Sequence, residues 1–425
     1  MLNRRNFTGL LGATALPGFA LSSQNAWAAE TVPFYASVGP RLTLYNLDVA
    51  TAELTPVGSV ALPANVQYAW PHPSRKFLYV AASNSQPGGG PTGAVGADKN
   101  HYALAFKVDP VTGALTPHGE HRLLQARPLH ISTDHTGAFL FIAYNVPSQV
   151  TVHRLNEDGS IGDVVAQKGK TDFGIYAHQV LSTPGNRTLT LCSRGNDAAG
   201  NKAEDPGHIE VLGFDDGQLT NLQTVTVGDG LGFGPRHLDF LPSASFAYVS
   251  MERENALYVY QLLRDGTLSR DPLYQRNALT DPDGKTKHPG QGVGPIHVHP
   301  NGRFVYQTNR GSGMVDVGGR KVSNGGENNV VVWAIDPATG EPTLIQRAWT
   351  DDYELRTFAI DPSGRVLITA STTPMQVQEQ GVFSTVSAGL SVYRVGADGK
   401  LTFVHKYDVD TAPGTQFWCG LLTMA

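Results

Sequence analysis

The chain has 425 residues, with 32 Lys and Arg against 37 Asp and Glu, a formal charge of −5 and only 16% charged residues. Its 47 glycines and 27 prolines are more helix breakers than a helical bundle can place, which excludes an all-helical protein and favours a turn-dense all-β one. The acidic balance excludes a general nucleic-acid binder.

Residues 1–28 carry Arg4 and Arg5, then a mildly apolar Ala/Gly/Leu stretch, then Ala26-Trp27-Ala28 as an A-x-A cleavage site. This is the pattern of a twin-arginine signal peptide. Gly9, Gly12, Pro17 and Gly18 interrupt it too often for a membrane span. Cleavage after Ala28 would leave one domain, 29–425, with 30 basic against 37 acidic residues, a net charge of −7. The expectation is a periplasmic protein without membrane association after cleavage.

The first apolar segment, FYASVGPRLTLYNLDVATAELTPVGSV from Phe34, supplies three strands. A hairpin signature then recurs six times: an apolar strand, a Pro-x-Gly-like turn and a second strand alternating aromatic and aliphatic residues. The copies begin VQYAWPHPSRKF at Val66, PLHISTDHTGAF at Pro128, HQVLSTPGNRTL at His178, RHLDFLPSASF at Arg236, PIHVHPNGRF at Pro295 and RTFAIDPSGRV at Arg356. Third and fourth strands follow, such as ALYVYQLL and NVVVWAID. Taking Pro73, His135, Pro184, Pro242, Pro300 and Pro362 as anchors, the spacings are 62, 49, 58, 58 and 62. A period of about 58 divides the mature length into seven units, the signature of a seven-bladed β-propeller. The last apolar segment, TQFWCGLLTM, would pair with the N-terminal strands and close the ring. Cys192 and Cys419 belong to no metal or redox constellation and read as small buried apolar residues.

Within each unit, residues six and five before the anchor and ten after it should face one mouth of the channel. These positions collect Arg194, Arg236, Arg310 and Arg356, with His130, His178 and His237, against the single carboxylate of Glu252. A basic funnel on an acidic body suits an anionic or electron-rich small molecule. The segment DPDG at 281–284 lacks the spacing of a calcium loop and reads as a β-turn. No nucleophile elbow, HExxH or Walker motif is present, and neither a cofactor nor a metal is called for.

GPRHLDF at Gly234, HQVLSTPG at His178, SMEREN at Ser250, TNRG at Thr308 and RTFAIDPSGRVL at Arg356 together resemble the lactonase family of seven-bladed propellers. That family includes propeller-type 6-phosphogluconolactonases and 3-carboxy-cis,cis-muconate lactonizing enzymes. The resemblance implies catalytic roles for His178, Arg236, Glu252 and Arg356, leaving His130, Arg194, His237 and Arg310 as substrate-binding candidates. It implies a hydrolase of a small anionic or sugar-derived lactone, and the chain is expected to be a monomer. Glu252 or His178 would take the proton from water, Arg236 and Arg356 would stabilise the oxyanion, and His237 would orient its neighbours. Carboxymuconate-type cycloisomerisation and ligand binding without chemistry are the alternatives. Insertions after Asn84, Arg310 and Thr372 rise from the same mouth and should shape which ligand fits.

Overall fold

The structure is a computed structural model describing residues 31–85 and 100–422. The expected signal peptide, with its expected cleavage site, and most of the insertion after Asn84 lie outside these residues. Seven four-stranded sheets are arranged as propeller blades, and all their strand pairs are antiparallel. Six blades run from the innermost strand outward in chain order, at 65–123, 128–164, 177–225, 235–277, 291–349 and 355–408. The blade that starts the chain takes three strands from Thr31–Val38, Arg41–Asp48 and Glu53–Ala61, and its innermost strand from Cys419–Leu421. Phe34 lies opposite Leu421, Tyr35 opposite Gly420 and Ala36 opposite Cys419, so the ring closes as expected from the last apolar segment.

The second strand of each repeat reads as an unbroken apolar run because both faces of each blade are covered. Phe77–Ser83, Phe139–Asn145 and Val366–Ser371 are almost wholly buried. The core is divided into seven hydrophobic wedges, each filled from two adjacent blades. Second-strand tyrosines also tie three of the blades to the next. The hydroxyls of Tyr79, Tyr248 and Tyr306 donate to the carbonyls of Gly159, Gly340 and Gly399 at 2.9, 2.9 and 2.8 Å. Each glycine has positive φ in the turn between the outer strands, where a side chain would be strained. Cys192 and Cys419 are free and buried.

The insertions after Arg310 and Thr372 form two-stranded hairpins, Met314–Val317 with Arg320–Ser323 and Met375–Glu379 with Val382–Val386. They join each other through the Arg320 guanidinium, 4.7 Å from the Phe383 ring centre. The DPDG segment is the expected β-turn, closed by the Gly284 N–H donating to the Asp281 carbonyl at 2.9 Å, and it leads directly into one turn of helix, Gly284–Lys287. The Asp281 carboxylate braces both, accepting from the Asp283 N–H at 3.0 Å and from Lys287 Nζ at 2.5 Å. Among the described residues no helix is long and apolar enough to cross a membrane.

Candidate active site

Each of the six innermost strands that begin a repeat slips register at one place. Residues Gln67, Leu129, His178, Arg236 and Arg356 are the extra residues of these bulges, and Gly294-Pro295 forms the wider one. A bulge leaves a residue unpaired and re-aims its side chain, which simple alternation would have turned into a blade face. The effect is consistent around the ring. Gln67, Leu129, His178, Arg236, Pro295 and Arg356 all line one channel cavity of about 290 Å³, closed on the seventh side by Phe417 and Trp418. Tyr68, His237 and Thr357, one residue further on, line it as well. Gly294 has no alternative at its bulge, since a Cβ there would lie 2.2 Å from Thr308 Oγ1.

The candidates divide into three groups. His178, Arg236, His237 and Arg356 line the cavity. Arg194, Glu252 and Arg310 stand at the mouth outside its lining and are bound to one another. Glu252 Oε2 accepts from Arg194 Nε at 2.5 Å, Oε1 accepts from Arg310 Nη2, and Arg236 Nε lies 3.6 Å from Oε1. His130 is fully buried behind the cavity wall, its ring 4.2 Å from Tyr68 and 5.7 Å from Trp70 between centres.

Burial dominates the electrostatics. It holds the His178 imidazole well below its ordinary range, with Arg236 and Arg356 pushing the same way. His237 is displaced in the same direction by burial, then by Arg236 and His178. For His130, burial and Arg236 bring the value down to about 3. All three rings are therefore neutral at pH 7, and His178 and His237 stand edge to face with centres 5.0 Å apart. Arg236 is 3% exposed, and burial together with Arg356 pulls it down to about 9, while its Nη1 is buried without a hydrogen-bond acceptor. A guanidinium in this position calls for an anion or a polarised carbonyl.

The count of one carboxylate at the mouth is corrected by the structure. Glu354 Oε1 lies 3.7 Å from Arg310 and 3.8 Å from Arg356, and Asp197 pairs with Arg194 at 2.8 Å. Glu354 belongs to a position that the sequence reading passed over, eight residues before the anchor. There Arg127, Tyr176 and Glu354 open three of the innermost strands. The available signal was the period-two rule, which puts this position on the same side as the bulge residue. Tyr176 and Glu354 both have positive φ, 63° and 52°, rare for such side chains and found where a site constrains the backbone. In the next two blades the position is Gly234 and Gly292, where a Cβ would meet Arg253 at 2.4 Å and Glu252 at 3.2 Å. Phe417 also escaped notice as a site residue, although the Arg356 guanidinium lies 4.0 Å from its ring centre.

Fold and site together define a seven-bladed propeller with a compact His/Arg cluster on a ligand-sized channel cavity. The chain belongs to the lactonase family of seven-bladed β-propellers, whose family model matches residues 34–382. Among solved structures it is similar to the periplasmic gluconolactonase of Pseudomonas aeruginosa, with a TM-score of 0.68 and 21% identity, covering 93% of this chain and 100% of that one. A 6-phosphogluconolactonase candidate from Bacteroides fragilis gives 0.68 and 20%, over 92% and 98% of the two chains. At these identities the likeness is one of fold.

Proposed function

We propose that the protein is a periplasmic hydrolase of small sugar-derived lactones, with His178 as general base and Arg236 and Arg356 as donors to the oxyanion. The observation that carries this reading is the cavity itself, where a neutral imidazole and two guanidinium groups converge beside Phe417 and Trp418. Family membership and the gluconolactonase neighbour support it.

Ring opening begins with water attacking the lactone carbonyl as His178 takes its proton. The tetrahedral oxyanion is held by guanidinium N–H groups, Arg236 Nη1 among them. The bond to the ring oxygen then breaks, and His178 returns the proton to the departing alkoxide. Glu252 acts differently from a base, because both its oxygens already face guanidinium groups. Its role is positioning: it fixes the mouth arginines and, through the 3.6 Å approach to Arg236 Nε, the orientation of Arg236. The hydroxyls of a sugar lactone find Gln67, Thr357 and the face of Trp418 along the same wall.

The test is a pH-stat assay against aldono-, phosphoaldono- and carboxymuconolactones, corrected for spontaneous hydrolysis. His178→Asn should lower kcat by about 10²-fold or more. Arg236→Ala should cost a similar factor through lost oxyanion stabilisation. Ligand binding without turnover on the whole panel would overturn the hydrolase and leave a binding propeller.

A further inference from the structure

Arg127, in the last turn of chain before the strand Pro128–Thr133, is a mouth cation that the site described so far does not use. Its Nε donates to Gln67 Oε1 at 2.8 Å, and Gln67, 2% exposed, is itself tied to the Asn65 carbonyl at 3.2 Å. Its guanidinium carbon lies 5.7 Å from the centre of the Phe417 ring that also carries Arg356. Arg356 lines the cavity, and Arg127 stands just outside that lining, held against two residues that belong to it, Gln67 and Phe417. Their counterions differ. Arg194, Arg236, Arg310 and Arg356 each approach a carboxylate within 4 Å, whereas no carboxylate of the described residues pairs with Arg127. Neither Nη atom of Arg127 has an acceptor among the described residues, and Nη2 is buried. Burial, and then the Arg356 charge, press against its own charge, with Tyr176 acting in the opposite direction.

A purely structural tie between blades would be served by a glutamine or a lysine at less cost, since a buried donor left unpaired is expensive, about 1–3 kcal/mol. We infer that Arg127 is a substrate-binding residue that takes an oxyanion, a carboxylate or a phosphate, carried by the lactone at the end remote from its ester. This rests on the hydrolase reading for the word lactone, but not for the anion site. Arg236, Arg356 and His178 attend the ester carbonyl, and Arg127 sets which lactones are held. The forked guanidinium suits both oxyanion shapes, and its buried Nη2 is left without an acceptor.

Calorimetric titration of the full chain with inorganic phosphate and, separately, with glucarate separates the two oxyanions. Arg127→Ala should weaken the favoured anion at least about tenfold, and Arg127→Lys should recover part of the affinity while Arg127→Gln does not. In the rate assay, Arg127→Ala should raise KM for the matching charged lactone by a similar factor. KM for neutral gluconolactone should rise by a clearly smaller factor, the part owed to Gln67 losing its Arg127 partner. A merely structural role would move both substrates together. Anion affinity equal in the native chain, Arg127→Ala and Arg127→Gln, with all three folded by circular dichroism, overturns the inference. Arg127-dependent anion binding without turnover would uphold it while removing the hydrolase.

Discussion

Neutral imidazoles among arginines give this site its expected pH behaviour. In the proposed mechanism His178 acts as a base only when unprotonated, and burial with Arg236 and Arg356 places its pKa below the ordinary imidazole range. Activity should therefore hold as pH falls through 6.5, the value of an exposed histidine, and decline only at lower pH. A kcat profile that halves at or above pH 6.5 would remove His178 from the role. Glu252→Gln should lower kcat while leaving that acid limb in place, because it loosens arginines and removes no base. His130 affects stability. Its folded pKa of about 3 lies below the unfolded value, so its contribution is complete above pH 6.5 and is lost as pH falls toward 3. Between pH 6.5 and 5 this amounts to about 2 kcal/mol. Urea midpoints in His130→Leu should show a correspondingly shallower loss over that interval, and an unchanged slope would show that His130 is not responsible.

At the scale of the element, the repeated hairpin and its bulge do different work. The hairpin builds the wedges, and the bulge aims one side chain per blade into the channel. Anchor counting found the bulge residues because it used equal offsets rather than strand alternation, which would have turned His178 and Gln179 to opposite faces. It missed Arg127, Tyr176 and Glu354, since they stand one residue before the strands, two ahead of the bulge positions that the offsets sampled. The tyrosine ties offer a direct measurement. Tyr306→Phe removes the bond to the Gly399 carbonyl and should destabilise by about 1–3 kcal/mol in urea unfolding. Gly399→Ala should cost more, since φ is 81° and the new Cβ would lie 2.3 Å from the Phe304 ring. A smaller loss in the alanine variant would show that the turn can relax.

For the molecule as a whole, stability depends on closing the ring. Trp418 packs into the wedge between the first two blades and Cys419 into the wedge between the last blade and the first. Truncation after Gln416 removes both, together with the strand opposite Tyr35, and should cost at least about 4 kcal/mol and admit protease. Truncation after Leu422 should be neutral. If the shorter chain unfolds at the native midpoint, the C-terminal strand is not the clasp. Export is tested separately: Arg4→Lys with Arg5→Lys should leave the chain in the cytoplasmic fraction, and continued secretion would exclude the twin-arginine route.

The sequence by itself determined the all-β class, the blade count and the closing strand, because hairpin period and turn residues are local properties repeated along the chain. It also placed His178, Arg236, His237 and Arg356 at one mouth, since equivalent offsets in equivalent units must meet around an axis. Which charges are already paired follows from the packing of the blades alone. Whether Glu252 is free to act or clasped, whether His130 reaches the cavity, and whether Arg127 has a counterion depend on distances of a few ångströms between blades. Such distances are set by how neighbouring wedges pack, and no single repeat encodes them.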